Sequence, residues 1–286
     1  MSTIEIKNVS KAYGKTVALK NVSATFTDGK ICGFLGRNGA GKTTLLNIVT
    51  NRLFADQGQV LIDGEPALEN DHAQAKIFYM TEKTLYPKDM RVVDVFQLTR
   101  RFYPQFDPAY AEALAERFTL ELGKRVGGLS TGYLSILKLI LTLASNAPVS
   151  IFDEPVLGLD ANHRDLFYKE LLAHYNAAPN TVILSTHLIE EAAGLLEEVI
   201  IIKEGQIICA QPVDELLQLA CTVSGSRENV DRFISGKNVI RQEALGRFKT
   251  ATIFEKRNGN DPNELAQLGL NRTPTGLQEL IISLTN

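Results

Sequence analysis

A glycine-rich segment near the N-terminus carries the residue types that bind phosphate. Residues 36–43 read Gly-Arg-Asn-Gly-Ala-Gly-Lys-Thr and match the pattern G-x-x-x-x-G-K-[ST]. Glycines let such a loop turn its N–H groups toward phosphate oxygens, and a helix start adds a partial positive charge of about half an electron. Lys42 would neutralise β and γ phosphates, and the Thr43 hydroxyl would bind Mg²⁺. We therefore predict a site for a nucleoside triphosphate and Mg²⁺, and its phosphate-loop residues are Gly36, Asn38, Gly39, Ala40, Gly41, Lys42, Thr43 and Thr44.

The neighbours of this loop predict the elements that position it. Residues 31–35, Ile-Cys-Gly-Phe-Leu, form an apolar run typical of a buried strand. After the loop, Leu45, Leu46 and Val49 recur at helical spacing, so we expect a helix from Thr43. Strand, loop and helix are the setting that the motif requires. The alternative, a glycine-rich turn without a ligand, leaves a lysine followed by two threonines unexplained.

Further polar residues follow two other apolar strands. Residues 149–152 lead to Asp153 and Glu154, and doubly wound sheets bind ligands at the carboxyl ends of their strands. Asp153 would hold Mg²⁺ directly or through water, and Glu154 would accept a proton from an attacking water. Residues 182–185 lead in the same way to His187, which we predict to contact a γ-phosphate. A lone histidine is otherwise more often structural than catalytic.

Composition limits the class of protein. The chain has 286 residues, of which 44% are hydrophobic and 22% charged, and its net charge is −3. These values are ordinary for a globular protein of one or two domains, and they give no charge-based reason to expect nucleic acid as a partner. The apolar runs are far shorter than the roughly 20 residues that span a bilayer, and the N-terminus predicts no secretion signal. Cys32, Cys209 and Cys221 lack disulfide or metal spacing, so we expect reduced thiols, the first two buried.

The order of these motifs resembles that of a known family. The phosphate loop, Leu129-Ser130-Thr131-Gly132-Tyr133, Asp153-Glu154, residues 158–160 (Gly-Leu-Asp) and His187 occur as they do in the ATP-binding cassette ATPases. The resemblance covers about residues 1–215. It implies an α/β fold: a RecA-like P-loop NTPase core with an antiparallel β subdomain and a helical subdomain. It also implies a head-to-tail dimer that hydrolyses two ATP molecules held at its interface.

The resemblance also implies roles for residues that the motifs alone do not explain. Tyr13 would stack on adenine, the alternative being an exposed hairpin tyrosine. Ser130 and Gly132 would cap the γ-phosphate of the partner's ATP, and Asp160 would help to couple the two sites. The alternative for residues 129–133 is an ordinary helix start with Ser130 or Thr131 as its N-cap. The two roles are compatible, because a capped helix start still leaves N–H groups that can bind a phosphate.

Two departures from the family pattern bear on function. The usual signature sequence is LSGGQ, and this chain has Thr131 for a glycine and Tyr133 for the glutamine. Glu82 occupies the position where a glutamine normally meets Mg²⁺ and the membrane partner, so we place Glu82 among the metal ligands. A glutamate in this loop resembles the bacterial ABC-2 type and lantibiotic-immunity-like peptide exporters, although a neutral swap is the alternative.

The helical subdomain is expected over about residues 83–147, within a cassette domain of residues 1–219. Asp107 is the expected N-cap of a helix that has Pro108 at its first position. Tyr86, Pro87 and Phe96 are candidates for docking a membrane subunit, or for packing inside the subdomain.

Residues 220–286 are expected to form a small α+β accessory domain that supports the dimer or regulates it. The order of apolar segments predicts strand, helix, strand, strand and helix, and residues 258–263 a loop. The expected core residues are Phe233, Phe248, Ile253, Phe254 and Ile281.

Taken together, the sequence predicts the ATPase subunit of a bacterial ABC exporter on the cytoplasmic side of the cell membrane. Its partners would be transmembrane permease subunits and a second ATPase subunit, identical or not. The expected cargo is an antimicrobial peptide or other amphipathic compound. The alternatives are a soluble cassette ATPase without a transport role and the ATPase of an importer.

Overall fold

A computed structural model describes residues 2–255 and 261–286 of the chain. It contains two compact units, Met1–His187 with Ile200–Ala210 (unit 1) and Leu188–Val199 with Gln211–Asn286 (unit 2). The described strands are β1 (Ile4–Tyr13), β2 (Thr16–Phe26), β3 (Ile31–Leu35), β4 (Gln57–Ile62), β5 (Glu65–Pro66), β6 (Ile77–Met80), β7 (Val149–Asp153), β8 (Thr181–Ser185), β9 (Glu198–Lys203), β10 (Gln206–Pro212), β11 (Ala220–Ser226), β12 (Val239–Leu245), β13 (Phe248–Phe254) and β14 (Asn271–Pro274). The described α-helices are α1 (Lys42–Val49), α2 (Asp71–Gln74), α3 (Val92–Phe102), α4 (Pro108–Arg117), α5 (Thr131–Ala144), α6 (Ala161–Ala177), α7 (Ile189–Ala192), α8 (Val213–Gln218), α9 (Arg227–Phe233), α10 (Asp261–Gln267) and α11 (Leu277–Thr285).

The largest sheet has the strand order β10-β9-β3-β8-β7-β6. Strand β8 pairs in parallel with β3 and β7, and β7 pairs in parallel with β6. Every residue of β3, β7 and β8 is buried, as expected for continuous apolar runs covered on both faces. The carboxyl ends of these parallel strands lie at one edge, so the polar segments that follow them are brought together. This arrangement confirms the predicted α/β core, and α1 begins at Lys42, one residue before the predicted start.

A second sheet in unit 1 is antiparallel, with the order β2-β1-β4-β5. Ile4 of β1 pairs with Phe26 of β2 and with Ile62 of β4, and all three side chains are fully buried. The antiparallel β subdomain that the resemblance implied is therefore present.

Cys32 and Cys209 were both predicted to be buried, and they differ in exposure. Cys32 lies in the centre of the sheet on β3 and is fully buried, as predicted. Cys209 is only half-buried, contrary to the prediction, because β10 is the edge strand and its side chains alternate between exposed and half-buried.

Helices α3, α4 and α5 lie within residues 83–147, where the helical subdomain was expected. The Asp107 carboxylate accepts a hydrogen bond from the Tyr110 N–H at 3.0 Å, and Pro108 occupies the first helical position, which confirms the predicted cap. Phe96 is 3% exposed, and its ring centre lies 6.0 Å from that of Phe106. Phe96 therefore packs inside this region, which is the second of the two alternatives given for it.

Unit 2 contains an antiparallel sheet of order β12-β13-β11-β14. The order β11, α9, β12, β13, α10, β14 along the chain is the ferredoxin-like arrangement. Helix α10 and strand β14 were missed by the sequence interpretation, since segments of seven and four residues give weak periodicity. Of the predicted loop 258–263, residues 258–260 lie outside the described residues, and residues 261–263 instead begin α10.

The five predicted core residues of unit 2 differ in burial. Phe233, Ile253 and Ile281 are 3%, 3% and 2% exposed, as predicted. Phe248 and Phe254 lie on the face of β13 opposite Ile253, and they are exposed and half-buried respectively, so their prediction as core residues is wrong.

No helix among the described residues is long and apolar enough to cross a membrane.

Candidate functional site

A cavity of about 320 Å³ in unit 1 gathers most of the predicted site residues. Its walls are formed by the phosphate loop with the first turn of α1, by Asp153 and Glu154 and by the loop after β6. Apart from Ala18, every lining residue named here was a predicted site residue. The lining includes Ala18, Asn38, Gly39, Gly41, Lys42, Thr43, Thr44, Glu82, Asp153 and Glu154.

Two glycines of the phosphate loop are required by the backbone that surrounds them. A Cβ atom at Gly36 would lie 2.3 Å from the carbonyl oxygen of Ile202. Gly41, the N-cap of α1, has a φ of 112°, and a Cβ there would lie 2.8 Å from the Ala18 carbonyl oxygen. The first N–H groups of a helix lack partners within the helix, and Lys42 and Thr43 of that first turn line the cavity. The loop therefore presents the start of α1 to an anion in the cavity.

Lys42 holds a cationic group over the phosphate loop. Its Nζ donates hydrogen bonds to the carbonyl oxygens of Gly36 at 2.6 Å and Arg37 at 3.3 Å. Burial lowers the pKa of Lys42, and the negative charges of Glu154 and Asp153 oppose that shift. The ammonium thus lies between loop carbonyls and acidic side chains, where phosphate oxygens would be stronger acceptors.

Asp153 anchors the oxygen ligands of the site. One carboxylate oxygen, Oδ2, accepts hydrogen bonds from the Thr43 hydroxyl at 3.2 Å and the Tyr79 hydroxyl at 3.1 Å. Burial first, and then the charge of Asp153, raises the pKa of Tyr79, so the phenol keeps its proton and donates. A hydroxyl and a carboxylate at this distance, with Glu82 in the same cavity, are oxygen donors of the kind that Mg²⁺ prefers. The residues therefore fit a magnesium-bound nucleotide.

Tyr79 was missed as a site residue. Its segment, Ile77–Met80, reads only as a short buried strand, and β6 pairs with β7 so that Tyr79 stands beside Ile151. The partnership with Asp153 follows from that pairing, and the local sequence carries no signal for it.

Glu154 and His187 contact each other directly. His187 Nδ1 lies 2.7 Å from Glu154 Oε2, and the Glu154 N–H donates to the Ser185 carbonyl oxygen at 2.8 Å. With Glu154 ionised, Nδ1 carries the proton and donates it, which leaves Nε2 as the ring edge for another group. Glu154 has a φ of 52°, a left-handed conformation that costs about 1–3 kcal/mol in a residue other than glycine and that is common at functional sites.

A second cluster of predicted residues lies around the start of α5. The Ser130 hydroxyl accepts a hydrogen bond from the Tyr133 N–H at 3.3 Å, so Ser130 rather than Thr131 is the N-cap. A Cβ at Gly132 would lie 2.7 Å from the Gly158 carbonyl oxygen. Asp160 caps α6 by accepting from the His163 N–H at 2.9 Å. The structure thus packs the signature segment against the turn that connects Glu154 to Asp160.

Comparison with known proteins places the chain in a family. The family model for ABC transporters matches residues 19–157. The ABC transporter ATP-binding protein YtrB of Bacillus subtilis is 28% identical over 98% of this chain and 97% of its own length. The ABC transporter ATP-binding protein NatA of the same organism is 30% identical over 70% of this chain and 84% of its own length. The chain belongs to the ABC transporter family.

Solved ABC structures share the fold. The structure of an ATP-binding subunit of an ABC transporter matches 74% of this chain and 91% of its own with a TM-score of 0.68, at 21% identity. As an ABC ATP-binding subunit, the chain binds and hydrolyses ATP. Further ABC relatives are named for Nod factor export and for ribose import, so membership alone leaves the direction of transport open.

The two unusual residues of the ABC signature differ in exposure. Thr131 is exposed. Tyr133 is half-buried, its hydroxyl lies 3.2 Å from the Thr119 hydroxyl, and Lys124 Nζ lies 5.9 Å from its ring centre. Tyr133 is therefore held by contacts within its own chain.

Tyr13 presents an exposed ring at the end of β1. The side chain is 51% exposed at the end of β1, and Lys11 Nζ lies 5.9 Å from its ring centre. Stacking on adenine remains a prediction.

Replacing Gly132 with alanine is expected to destabilise the ABC cassette by about 1–3 kcal/mol. The added methyl group would meet the Gly158 carbonyl oxygen, and overpacking of this kind has a cost of that order. Urea unfolding of the full chain measures the difference. Gly128→Ala is the matched control, because a Cβ at Gly128 meets no atom within 4 Å. Equal midpoints for the two variants would contradict the close approach.

Proposed function

We propose that this chain is the ATP-hydrolysing subunit of a bacterial ABC exporter that dimerises around two ATP molecules and drives separate permease subunits. The proposal depends on one observation: the predicted site residues lie in two separate places. Lys42, Thr43, Asp153 and Glu154 line one cavity, and the signature residue Ser130 caps a different helix start. A helix start is an anion site, and a second copy of the cassette would supply the phosphate for it.

Within the cavity, the site residues have different roles in ATP hydrolysis. Thr43, Asp153 and Glu82 would hold Mg²⁺, which supplies positive charge to the β and γ phosphates. Glu154 takes a proton from the attacking water as general base. His187 orients Glu154 through Nδ1, and its Nε2 would donate a hydrogen bond to a γ-phosphate oxygen when both ring nitrogens carry protons. The 2.7 Å contact between His187 and Glu154 supports this pairing.

Across the dimer, each cassette would complete the site of the other. Ser130 and Gly132 cap the γ-phosphate of the partner's ATP, and Asp160 couples the two sites. The packing of Gly132 against Gly158 supports the coupling, since it places the signature segment beside the turn that carries Asp160. ATP binding then closes the dimer and hydrolysis reopens it, so the nucleotide selects between two states of the assembly. Tyr13 stacks on the adenine ring.

In this proposal the permease docks on the loop after β6, and the chain lies at the cytoplasmic face of the membrane. Pro87 is exposed and Tyr86 half-buried, which leaves these two candidates after Phe96 is removed. Leu85, 61% exposed, adds an apolar side chain to the same loop. The glutamate at position 82 and the relatives named for Nod factor export favour an exporter, and an antimicrobial peptide or other amphipathic compound as cargo. Residues 220–286 form the accessory domain in this proposal.

Purification of the full chain from detergent-solubilised cells tests the proposal. We expect a membrane-spanning companion to co-purify, and recovery of the ATPase alone would favour a soluble cassette. The complex is then placed in lipid vesicles with ATP outside. An exporter concentrates a fluorescent amphipathic peptide in the lumen, whereas an importer empties a preloaded lumen.

A further inference from the structure

A lysine interrupts the most apolar helix of unit 1. Residues 136–141 of α5 read Ile-Leu-Lys-Leu-Ile-Leu, and all of them except Lys138 are buried. Lys138 is half-buried, and burial lowers its pKa, while the charge of Glu82 opposes that shift. A partly desolvated ammonium needs acceptors close by.

The acceptors of Lys138 are backbone carbonyls of the loop after β6. Its Nζ donates to the carbonyl oxygen of Thr81 at 3.0 Å and to that of Glu82 at 2.9 Å. Hydrogen bonds from a charged donor are stronger than neutral ones, and two from one ammonium fix the backbone at adjacent residues. Lys138 therefore ties α5 to the start of this loop.

The tied loop leads directly into the ATP cavity. Glu82 lines that cavity together with Thr43, Asp153 and Glu154. Its carboxylate adds negative charge to a site that already holds two acidic side chains, so its position decides how the cavity receives Mg²⁺ and phosphate. Lys138 acts on the backbone of Glu82 itself, and its ammonium also brings a positive charge near this residue.

The same helix also contacts the other acidic segment of the cavity. The Ser135 hydroxyl donates to the Leu157 carbonyl oxygen at 2.9 Å, and the Leu157 N–H donates to the Glu154 carbonyl oxygen at 3.2 Å. Helix α5 is thus bonded to both segments that carry acidic side chains into the cavity, one turn apart along its length.

We propose that Lys138 is a positioning residue of the ATPase: it holds the Thr81–Glu82 backbone on α5 and so sets the position of the Glu82 carboxylate in the ATP cavity. The inference rests on the proposed role of Glu82 at the bound nucleotide. Because α5 begins beside Ser130, a movement of this helix would be transmitted to Glu82.

Hydrogen exchange of the full chain without nucleotide tests the backbone contact. Lys138→Met is expected to raise the amide exchange of residues 81–86 about tenfold, because two charge-assisted hydrogen bonds are lost. Thr142→Val, one turn further along α5, is the matched control, since its hydroxyl donates to the Lys138 carbonyl oxygen of its own helix. Glu82→Gln is expected to leave the exchange of this loop unchanged, because it keeps both carbonyls.

ATP turnover of the same proteins tests the positioning role. Lys138→Met is expected to lower kcat about tenfold with KM for ATP changed by no more than about twofold, and Thr142→Val to leave both unchanged. Wild-type exchange or wild-type kcat in a folded Lys138→Met protein would overturn the proposal, as would equal loop exchange in Glu82→Gln and Lys138→Met. If Lys138→Met does not fold, Lys138→Gln is measured instead, with the same criteria. None of these readouts depends on the permease, so failure of the exporter proposal leaves them interpretable.

Discussion

Replacing Glu154 with glutamine is expected to lower ATP turnover by about 10²- to 10⁴-fold and to leave ATP binding intact. Glutamine keeps the shape of the side chain and its acceptor oxygen toward His187, but it cannot take a proton from water. The substitution leaves the left-handed backbone at position 154 unaffected, because glutamate and glutamine have the same steric restriction at Cβ. Steady-state phosphate release measures turnover, and a fluorescent ATP analogue measures binding.

The same substitution tests the dimer. If hydrolysis reopens a closed dimer, the Glu154→Gln protein should accumulate as a dimer when ATP is added, which size-exclusion chromatography detects. Glu116→Gln, at an exposed position on α4, is the control and should remain at wild-type turnover. Near-normal turnover in Glu154→Gln would remove Glu154 as the general base.

Replacing Lys42 with methionine is expected to weaken ATP binding about 10- to 100-fold, since hydrogen bonds to charged groups contribute about 1.5–3 kcal/mol each. Lys42 is 7% exposed and its ammonium lies in the wall of the cavity. Methionine fills a similar volume without the charge. Burial lowers the pKa of Lys42, because the charged ammonium is partly removed from water, and the uncharged methionine avoids this desolvation cost. The folded state should therefore persist.

Isothermal titration with ATP and Mg²⁺ measures the loss, and thermal unfolding checks the fold. Lys15→Met is the control, because Lys15 is exposed in the turn between β1 and β2. Unchanged affinity in a folded Lys42→Met protein would mean that the loop N–H groups alone hold the phosphates.

Features that depend on a few neighbouring residues could be predicted from the sequence. The strand, loop and helix around Lys42 and the cap at Asp107 follow from local backbone chemistry, whereas the sequence left the cap of α5 open between Ser130 and Thr131. The ATPase family also follows, because its motifs are short and occur in a fixed order. The roles of individual site residues stay predictions, although most of those residues do meet in one cavity.

Contacts between distant segments could not be predicted in this way. The bond from Tyr79 to Asp153 depends on the pairing of β6 with β7, and the burial of Phe96 depends on Phe106 packing against it. Phe248 and Ile253 are both apolar residues of β13, and only their places in the folded sheet decide that Phe248 is exposed and Ile253 buried.

By itself, the sequence determined the phosphate loop, the cap at Asp107 and the family of this protein, because each depends on short motifs of defined residue types. Only the tertiary structure decided that Glu154 meets His187, that Gly132 must lack a side chain beside Gly158, and that Lys138 bonds to the backbone of Glu82. These pairs come from separate segments, and their distances are set by how strands and helices pack. In the sequence Lys138 is only an interruption of an apolar run, whereas in the fold it is tied to the loop that carries Glu82 into the cavity beside the phosphate loop.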